Sequence, residues 1–210
     1  MTTSRDTILN QLKTNAQVVA MPEPWVSRRD YDDLAGQFEQ ALTAVHGEVI
    51  RADSLETAVT ALGELMTELD VKTAVANSEE PLTSLDLPAQ FPAIDWHLVE
   101  QTAGNLREFC ISADVGLSSG DAGLAETGSI VISSGLGKSR LATLLPPVHV
   151  VILPTSKLTS DIFTWTAARE GSPPSNITLV SGPSKTADIE QTMAIGVHGP
   201  KRFIVILYDG

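Results

Sequence analysis

The chain has 210 residues, of which 42% are hydrophobic and 19% charged, and its 26 acidic against 14 basic side chains give a net charge of −12. That length suits one domain, with or without an added arm, able to bury roughly 70% of its unfolded surface without disulfides or metal. The acidic balance excludes nonspecific binding to nucleic acid or anionic membranes, and the single cysteine, Cys110, excludes a disulfide framework, a Cys-rich zinc module and a cluster-ligating thiolate set.

No apolar segment follows a basic start, and no run of about 18 apolar residues is available to span a bilayer. A cytoplasmic chain without membrane insertion is therefore expected. "SRDTILNQLK" places Ile8, Leu9 and Leu12 at helical spacing, and "MPEPWVSRRD" reads as an extended linker around Trp25. Residues 1–30 are thus expected to form a helical arm and linker, and residues 31–210 an α/β domain. From Tyr31 to His46 the positions Leu34, Phe38, Leu42 and Val45 mark an amphipathic helix that stops at Gly47. "EVIRA" predicts a strand, Leu55–Leu69 a helix, and "VKTAVA" a second strand. Residues 80–95, with three prolines, read as a loop before a strand at "WHLVE". Strands follow at "GSIVIS" and at "VHVVILP", an apolar, mostly β-branched run between Pro147 and Pro154. A helix over Lys157–Glu170, a strand at "ITLVS", a helix from about Thr186 to Ile195 and a strand at "RFIVILY" complete the chain. Alternating helix and strand predict a mainly parallel sheet flanked by helices.

Polar chemistry is concentrated between the last two strands. There "SGPSKT" would lead from a strand into a helix, and ligands of open α/β sheets bind beyond the carboxyl ends of the strands. Free amides at such a helix start, the hydroxyls of Ser181, Ser184 and Thr186 and the charge of Lys185 would suit an anion. The same residues also suit plain capping, with Asp188 and Glu190 complementing the helix dipole. "SSGLGKSR" fails as a phosphate loop, because Ile132 stands where the first glycine is required. It fails as a dinucleotide fingerprint too, because Arg140 stands at the third glycine. What remains is a glycine loop that offers Lys138 and Arg140 to an acidic substrate or to solvent.

In "DAGLAETGS", Glu126 lies among small uncharged residues and suits either a base or nucleophile or a structural acceptor. His198 follows the last predicted helix, where a histidine complements the dipole. His149, inside an apolar strand, reads as a core residue, and His46 and His97 stand isolated in sequence. Cys110, between Phe109 and Ile111, reads as buried and inert, and no spacing of His, Asp and Glu marks a metal site.

Three long motifs, "DAGLAETGSIVI", "GKSRLATLLPPVHVVILP" and "SGPSKTADIEQTMAIGVHGPKR", together resemble the LutC-like branch of the LUD-domain (lactate utilization) family from about Ala113 to Leu207. The resemblance implies a fold similar to the ribose-phosphate isomerase and CoA-transferase group. It implies a role in oxidising L-lactate to pyruvate beside partner subunits that carry the iron–sulfur clusters, with no cofactor bound by this chain. It also implies a shared site built from Glu126, Arg140, Lys185, Asp188 and His198 at one end of the sheet. In it Arg140 or Lys185 would hold a small carboxylate, with Ser184 and Thr186 beside them, and His198 would handle the hydroxyl proton. By analogy with CoA-transferases, Glu126 would be a nucleophile. The alternatives are a stand-alone enzyme or binder of a CoA ester or sugar phosphate, and an assembly protein whose polar motif is an interface.

Overall fold

The computed structural model describes residues 3–15, 25, 27–187, 193–196 and 198–210. Its helices are α1 (Ser4–Asn15), α2 (Leu34–Ala44), α3 (Leu55–Glu68), α4 (Leu87–Gln90), α5 (Leu106–Ser112), α6 (Arg140–Leu144) and α7 (Ile162–Ala167). Its strands are β1 (Glu48–Ala52), β2 (Thr73–Ala76), β3 (Asp95–Leu98), β4 (Val115–Ser118), β5 (Ala122–Leu124), β6 (Ser129–Ser133), β7 (Val148–Pro154), β8 (Leu158–Thr159), β9 (Ile177–Val180), β10 (Lys185–Ala187), β11 (Met193–Ile195) and β12 (Arg202–Tyr208).

The main sheet has six strands in the order β1-β12-β7-β4-β2-β3, and every pairing is parallel. Its longest strands are the neighbours β7 and β12, buried at all but their first residues. A parallel strand covered on both faces is apolar on both, and this is why these two runs read as hydrophobic stretches, interrupted in β7 by the buried His149. Ala58, Leu62, Leu65 and Met66 of α3 cover one face, packing with Leu82, Leu85 and Leu87 against Val115, Val150, Ile152, Ile204 and Ile206. Helix α3 starts where the Ser54 side chain accepts from the Thr57 amide while the Thr57 side chain reaches back to the Ser54 backbone.

A second, four-stranded sheet in the order β8-β5-β6-β9 covers part of the other face together with α2. Phe38, Leu42, Ile130 and Ile132 pack there against Val151, Leu153, Phe203, Val205 and Leu207. Nearer β2, the same face is covered by α5 and α6 through Cys110, Ala113 and Ala142 around Val75. Helix α6 comes so close to β4 that a side chain at Gly116 would meet the Ala142 carbonyl oxygen at 1.8 Å. Helix α7 lies outermost, with Ile162 and Trp165 against Leu124 and Val131.

Three expectations change. The segment read as a helix from Thr186 to Ile195 instead contributes β10 and β11, an antiparallel pair in which Lys185 faces Ile195 and Thr186 faces Ala194. Strand β9 ("ITLV") pairs antiparallel with β6 in the second sheet and is no part of the parallel sheet. The helix expected over Lys157–Glu170 is shortened to α7, because Leu158 and Thr159 pair with β5 first. Helix α1 buries none of its residues.

Candidate active site at the carboxyl edge

From β2 the chain runs outward to β3, whereas from β4 it leads the opposite way, toward β7. The crevice beyond the carboxyl ends of β2 and β4 is therefore the switch point at which open α/β sheets place their ligands. Asn77, Ser78 and Glu79 leave β2 there, and Ser119, Gly120 and Asp121 leave β4. The loop "SSGLGKSR" folds back over this edge. Ser78 donates its amide to the Gly137 carbonyl (2.8 Å), Ser139 donates its amide to Asn77 Oδ1 (2.9 Å), and the Gly137 amide donates to Glu100 Oε2 (2.8 Å). Gly137 sits at φ 69°, and a Cβ on it would lie 2.5 Å from the Ser78 carbonyl oxygen, so glycine is required twice over.

Docked this way, the loop inserts Lys138 between two carboxylates. Its Nζ is 3.1 Å from Glu79 Oε2 and 2.8 Å from Asp121 Oδ1. Glu79 is fixed from the other side by the Ser119 amide at 3.0 Å. Burial pushes the Asp121 carboxyl up, but the hydrogen bond and charge of Lys138 and the Ser133 amide outweigh it and hold Asp121 below the usual carboxylate range. Burial also opposes the charge on Lys138, and Asp121 and Glu79 reverse that, raising its pKa. Lys157 donates to the Gly120 carbonyl at 2.9 Å. Burial lowers its pKa, and nearby Lys138 adds to the effect while Glu79 opposes it.

Beside this cluster, between the carboxyl end of β3, α5 and α6, lies a cavity of about 580 Å³ lined by His97, Glu100, Leu106, Lys138, Arg140 and Leu141 among others. Of the residues singled out in the sequence, Arg140 and Lys138 of the glycine loop are placed on it. Glu126, Ser184, Lys185, Thr186 and His198 are elsewhere. Lys185 and Ser184 lie at the opposite, amino-terminal edge of the parallel sheet. The Ser184 amide donates to the Pro200 carbonyl, and Lys201 donates to the Pro147 carbonyl just ahead of β7. Lys185 Nζ donates to the Val45 carbonyl (2.6 Å) and is 3.2 Å from His46 Nδ1, in the turn before β1. His198 is exposed there and, with Ser181 and Ser184, lines a separate cavity of about 220 Å³. Thr186 is a strand residue of β10, and Asp188 lies outside the described residues.

Glu126 occupies the β5–β6 turn and pairs with Arg29 at 2.8 Å. The nearby Ser181 hydroxyl ends a chain of hydroxyls through Ser129 to Thr127, each step 2.6 Å. Of the five residues expected to converge, Glu126, Arg140, Lys185 and His198 are thus not brought together by the fold, and Asp188 lies outside the described residues. Arg140 and the Lys185–His198 group are at opposite ends of the parallel strands, because β9 feeds their intervening chain from the second sheet. His149 is fully buried in β7, hydrogen-bonded through Nε2 to the Ser118 hydroxyl at 2.8 Å, and burial lowers its pKa to about 3. Cys110 is buried, and its thiol is pushed up to about 11. Among the described residues, no three His, Cys, Asp or Glu side chains are placed to share a metal ion, and no helix is long and apolar enough to cross a membrane.

Glu79, Asn77, Lys157 and His97 were missed from the sequence. The signal for the first two was the polar run "NSEE" directly after an apolar strand. With this edge defined, the LUD domain profile matches residues 35–208, from α2 to the end of β12. The chain belongs to the LUD domain family. Lactate utilization protein C of an Exiguobacterium strain is 32% identical over 84% of this chain and 78% of its own length. Lactate utilization protein C 1 of Bacillus mycoides is 32% identical over 85% and 80%. Lactate utilization protein C of Bacillus subtilis is 29% identical over 90% and 87%. A crystal structure of a DUF162 family protein from Deinococcus radiodurans superposes with a TM-score of 0.57 over 83% of this chain and 96% of that one, at 18% identity, and shares the fold. The family match extends upstream of the three motifs to include α2, α3 and the first strands.

Proposed function

We propose that this chain is the non-iron–sulfur subunit of a lactate-utilization system that oxidises L-lactate to pyruvate. The observation that carries this reading is the likeness to lactate utilization proteins C along most of both chains, 84% and 78% for the Exiguobacterium relative. Oxidation of lactate to pyruvate releases two electrons and two protons. A chain with one cysteine does not supply the thiolates that hold a cluster, and Cys110, buried with its thiol raised to about 11, stays protonated. The electrons therefore pass to iron–sulfur clusters on partner subunits, and this chain contributes binding and positioning. We place the reaction in the cytoplasm, where a lone free thiol is ordinary. The reading as a binder of CoA esters or sugar phosphates rested on the fold relationship and on a helix amino terminus after Ser184, and the second support is gone, because Lys185–Ala187 is a strand paired with Met193–Ile195.

Growth on L-lactate as sole carbon source tests the role. A strain lacking the gene is expected to fail on L-lactate, to grow normally on pyruvate, and to recover when the gene is restored. Equal growth of deleted and restored strains on L-lactate, with no second copy in the genome, would overturn it.

A further inference from the structure

The cavity beside the charge cluster contains two groups that the fold leaves uncommitted. The first is His97. In β3 it stands level with Val75 of the neighbouring strand, is 4% exposed, and stacks on Phe109 with ring centroids 4.9 Å apart. Among the described residues neither ring nitrogen has a hydrogen-bond partner, although buried polar groups nearly always have one. The surface left to the ring lines the cavity. The second is Arg140. This chain has 26 acidic side chains for 14 basic ones, and Arg29, Arg51 and Arg202 each pair with a carboxylate. Among the described residues Arg140 is exposed and pairs with none, as do Arg5, Arg28, Arg107 and Arg169; what sets it apart is its place, since of these five it alone lines the cavity.

The other charged groups of the lining are already engaged. Lys138 is held between the carboxylates of Glu79 and Asp121, and one oxygen of Glu100 accepts from the Gly137 amide. Leu106 and Leu141 add apolar wall. An unpaired guanidinium, an imidazole whose nitrogens have no partner among the described residues, and an apolar surface complement three parts of one molecule class. Those parts are a carboxylate, an oxygen on the adjacent carbon, and a short alkyl end.

We propose that this cavity binds a small 2-hydroxy carboxylate, with Arg140 gripping the carboxylate, His97 hydrogen-bonding the C2 oxygen, and Leu106 and Leu141 against the alkyl end. The assignment rests on the lactate reading above and adds to it the site and the two residues that hold the ligand. The lactate hydroxyl meets His97, a residue of β3, and not His198 at the far edge.

Calorimetric titration of the purified full chain with L-lactate, propionate and inorganic phosphate tests the site. Propionate keeps the carboxylate and alkyl end but lacks the hydroxyl. L-lactate is expected to bind at least fivefold tighter than propionate, and phosphate more weakly than either. Arg140→Gln should weaken both carboxylates at least tenfold. His97→Phe should bring lactate down to the affinity of propionate and leave propionate unchanged, a pattern that mere loss of structure does not produce. If His97→Phe does not fold, His97→Gln, which keeps a polar partner, should retain part of the preference. Equal binding of lactate and propionate to the unaltered chain, equal or tighter binding of phosphate, or an unaffected Arg140→Gln would each overturn the proposal. So would no lactate binding at millimolar concentration. A strain that needs the gene for growth on lactate while the chain binds none would sink the site and keep the role. The converse pair of results would sink the role and keep the site.

Discussion

His149 shows how one buried side chain ties stability to pH. Its ring lies between Ser118 and Phe203 and is fully buried, with Nε2 on the serine hydroxyl and Nδ1 without a partner among the described residues. The folded-state pKa of about 3 lies far below the ordinary histidine value near 6.5. Between those two values the unfolded chain binds a proton at this position and the folded chain does not. Stability therefore falls as pH drops through that window, by up to about 1.4 kcal/mol per pH unit. Depressed carboxylates such as Asp121 and Asp161 add their own loss only at lower pH, as they become protonated. Urea unfolding at pH 6.0, 5.25 and 4.5 isolates the histidine. The unaltered chain should lose stability steadily over this range. His149→Gln, less stable at pH 7, should give a visibly flatter line. Parallel slopes would show that the ring does not stay neutral in the fold.

At the scale of elements, α6 is the piece on which edge and cavity both depend. Ser139 caps it, Arg140 is its first residue, and Ala142 rests on Gly116 of β4. Gly116→Ala puts a methyl 1.8 Å from the Ala142 carbonyl oxygen and 3.1 Å from Pro146, so α6 must move outward. The expected cost is about 1–3 kcal/mol, with a melting temperature lower by roughly 2–4 °C for each kcal/mol. Scanning calorimetry reads this directly, and an unchanged melting temperature would mean that α6 is not seated as described. Strands of this kind were legible where burial is complete. β7 and β12, covered on both faces, betray themselves by apolar runs that no other environment tolerates. The sheet to which a strand belongs was not legible. β9 looks like any short apolar strand, yet it joins β6 antiparallel, and this moves everything after it from the carboxyl edge to the amino edge. The helical reading of Thr186–Ile195 failed for a related reason. Pairing of Lys185–Ala187 with Met193–Ile195 is a long-range choice that local spacing does not record. Of the site, Arg140 was visible as a cation in a glycine loop. His97 was invisible, because its cavity is assembled from β3, α5 and α6, segments that only the fold brings together.

For the molecule as a whole, the family match begins at residue 35, yet residues just before it are fastened to the second sheet. Trp25 meets Phe163 edge-on with ring centroids 4.5 Å apart. The Ser27 hydroxyl donates to Asp161, which also accepts the Thr164 amide at the start of α7 and lies 3.7 Å from Arg29. Asp161 is completely buried. Burial alone would raise its carboxyl pKa, and the bonds from Ser27 and Thr164 with the charge of Arg29 bring it below the usual range. Arg29 also pairs with Glu126, so the segment from Ser27 to Arg29, a strap over this end of the second sheet, is tied to the β5–β6 turn as well. Two truncations separate the strap from the helix ahead of it. A chain starting at Ala16 loses α1, none of whose residues is buried, and should unfold within about 0.5 kcal/mol of the full chain. A chain starting at Tyr31 leaves Asp161 without Ser27 and Arg29 and should lose about 1–3 kcal/mol, as a buried acceptor does when its donors are removed. The urea midpoint at pH 7 distinguishes the two. If both truncations match the full chain, the strap contributes nothing to stability. If Asp161→Asn then restores part of what the shorter chain loses, the deficit is that of an unpaired buried charge, because the amide needs no cation beside it.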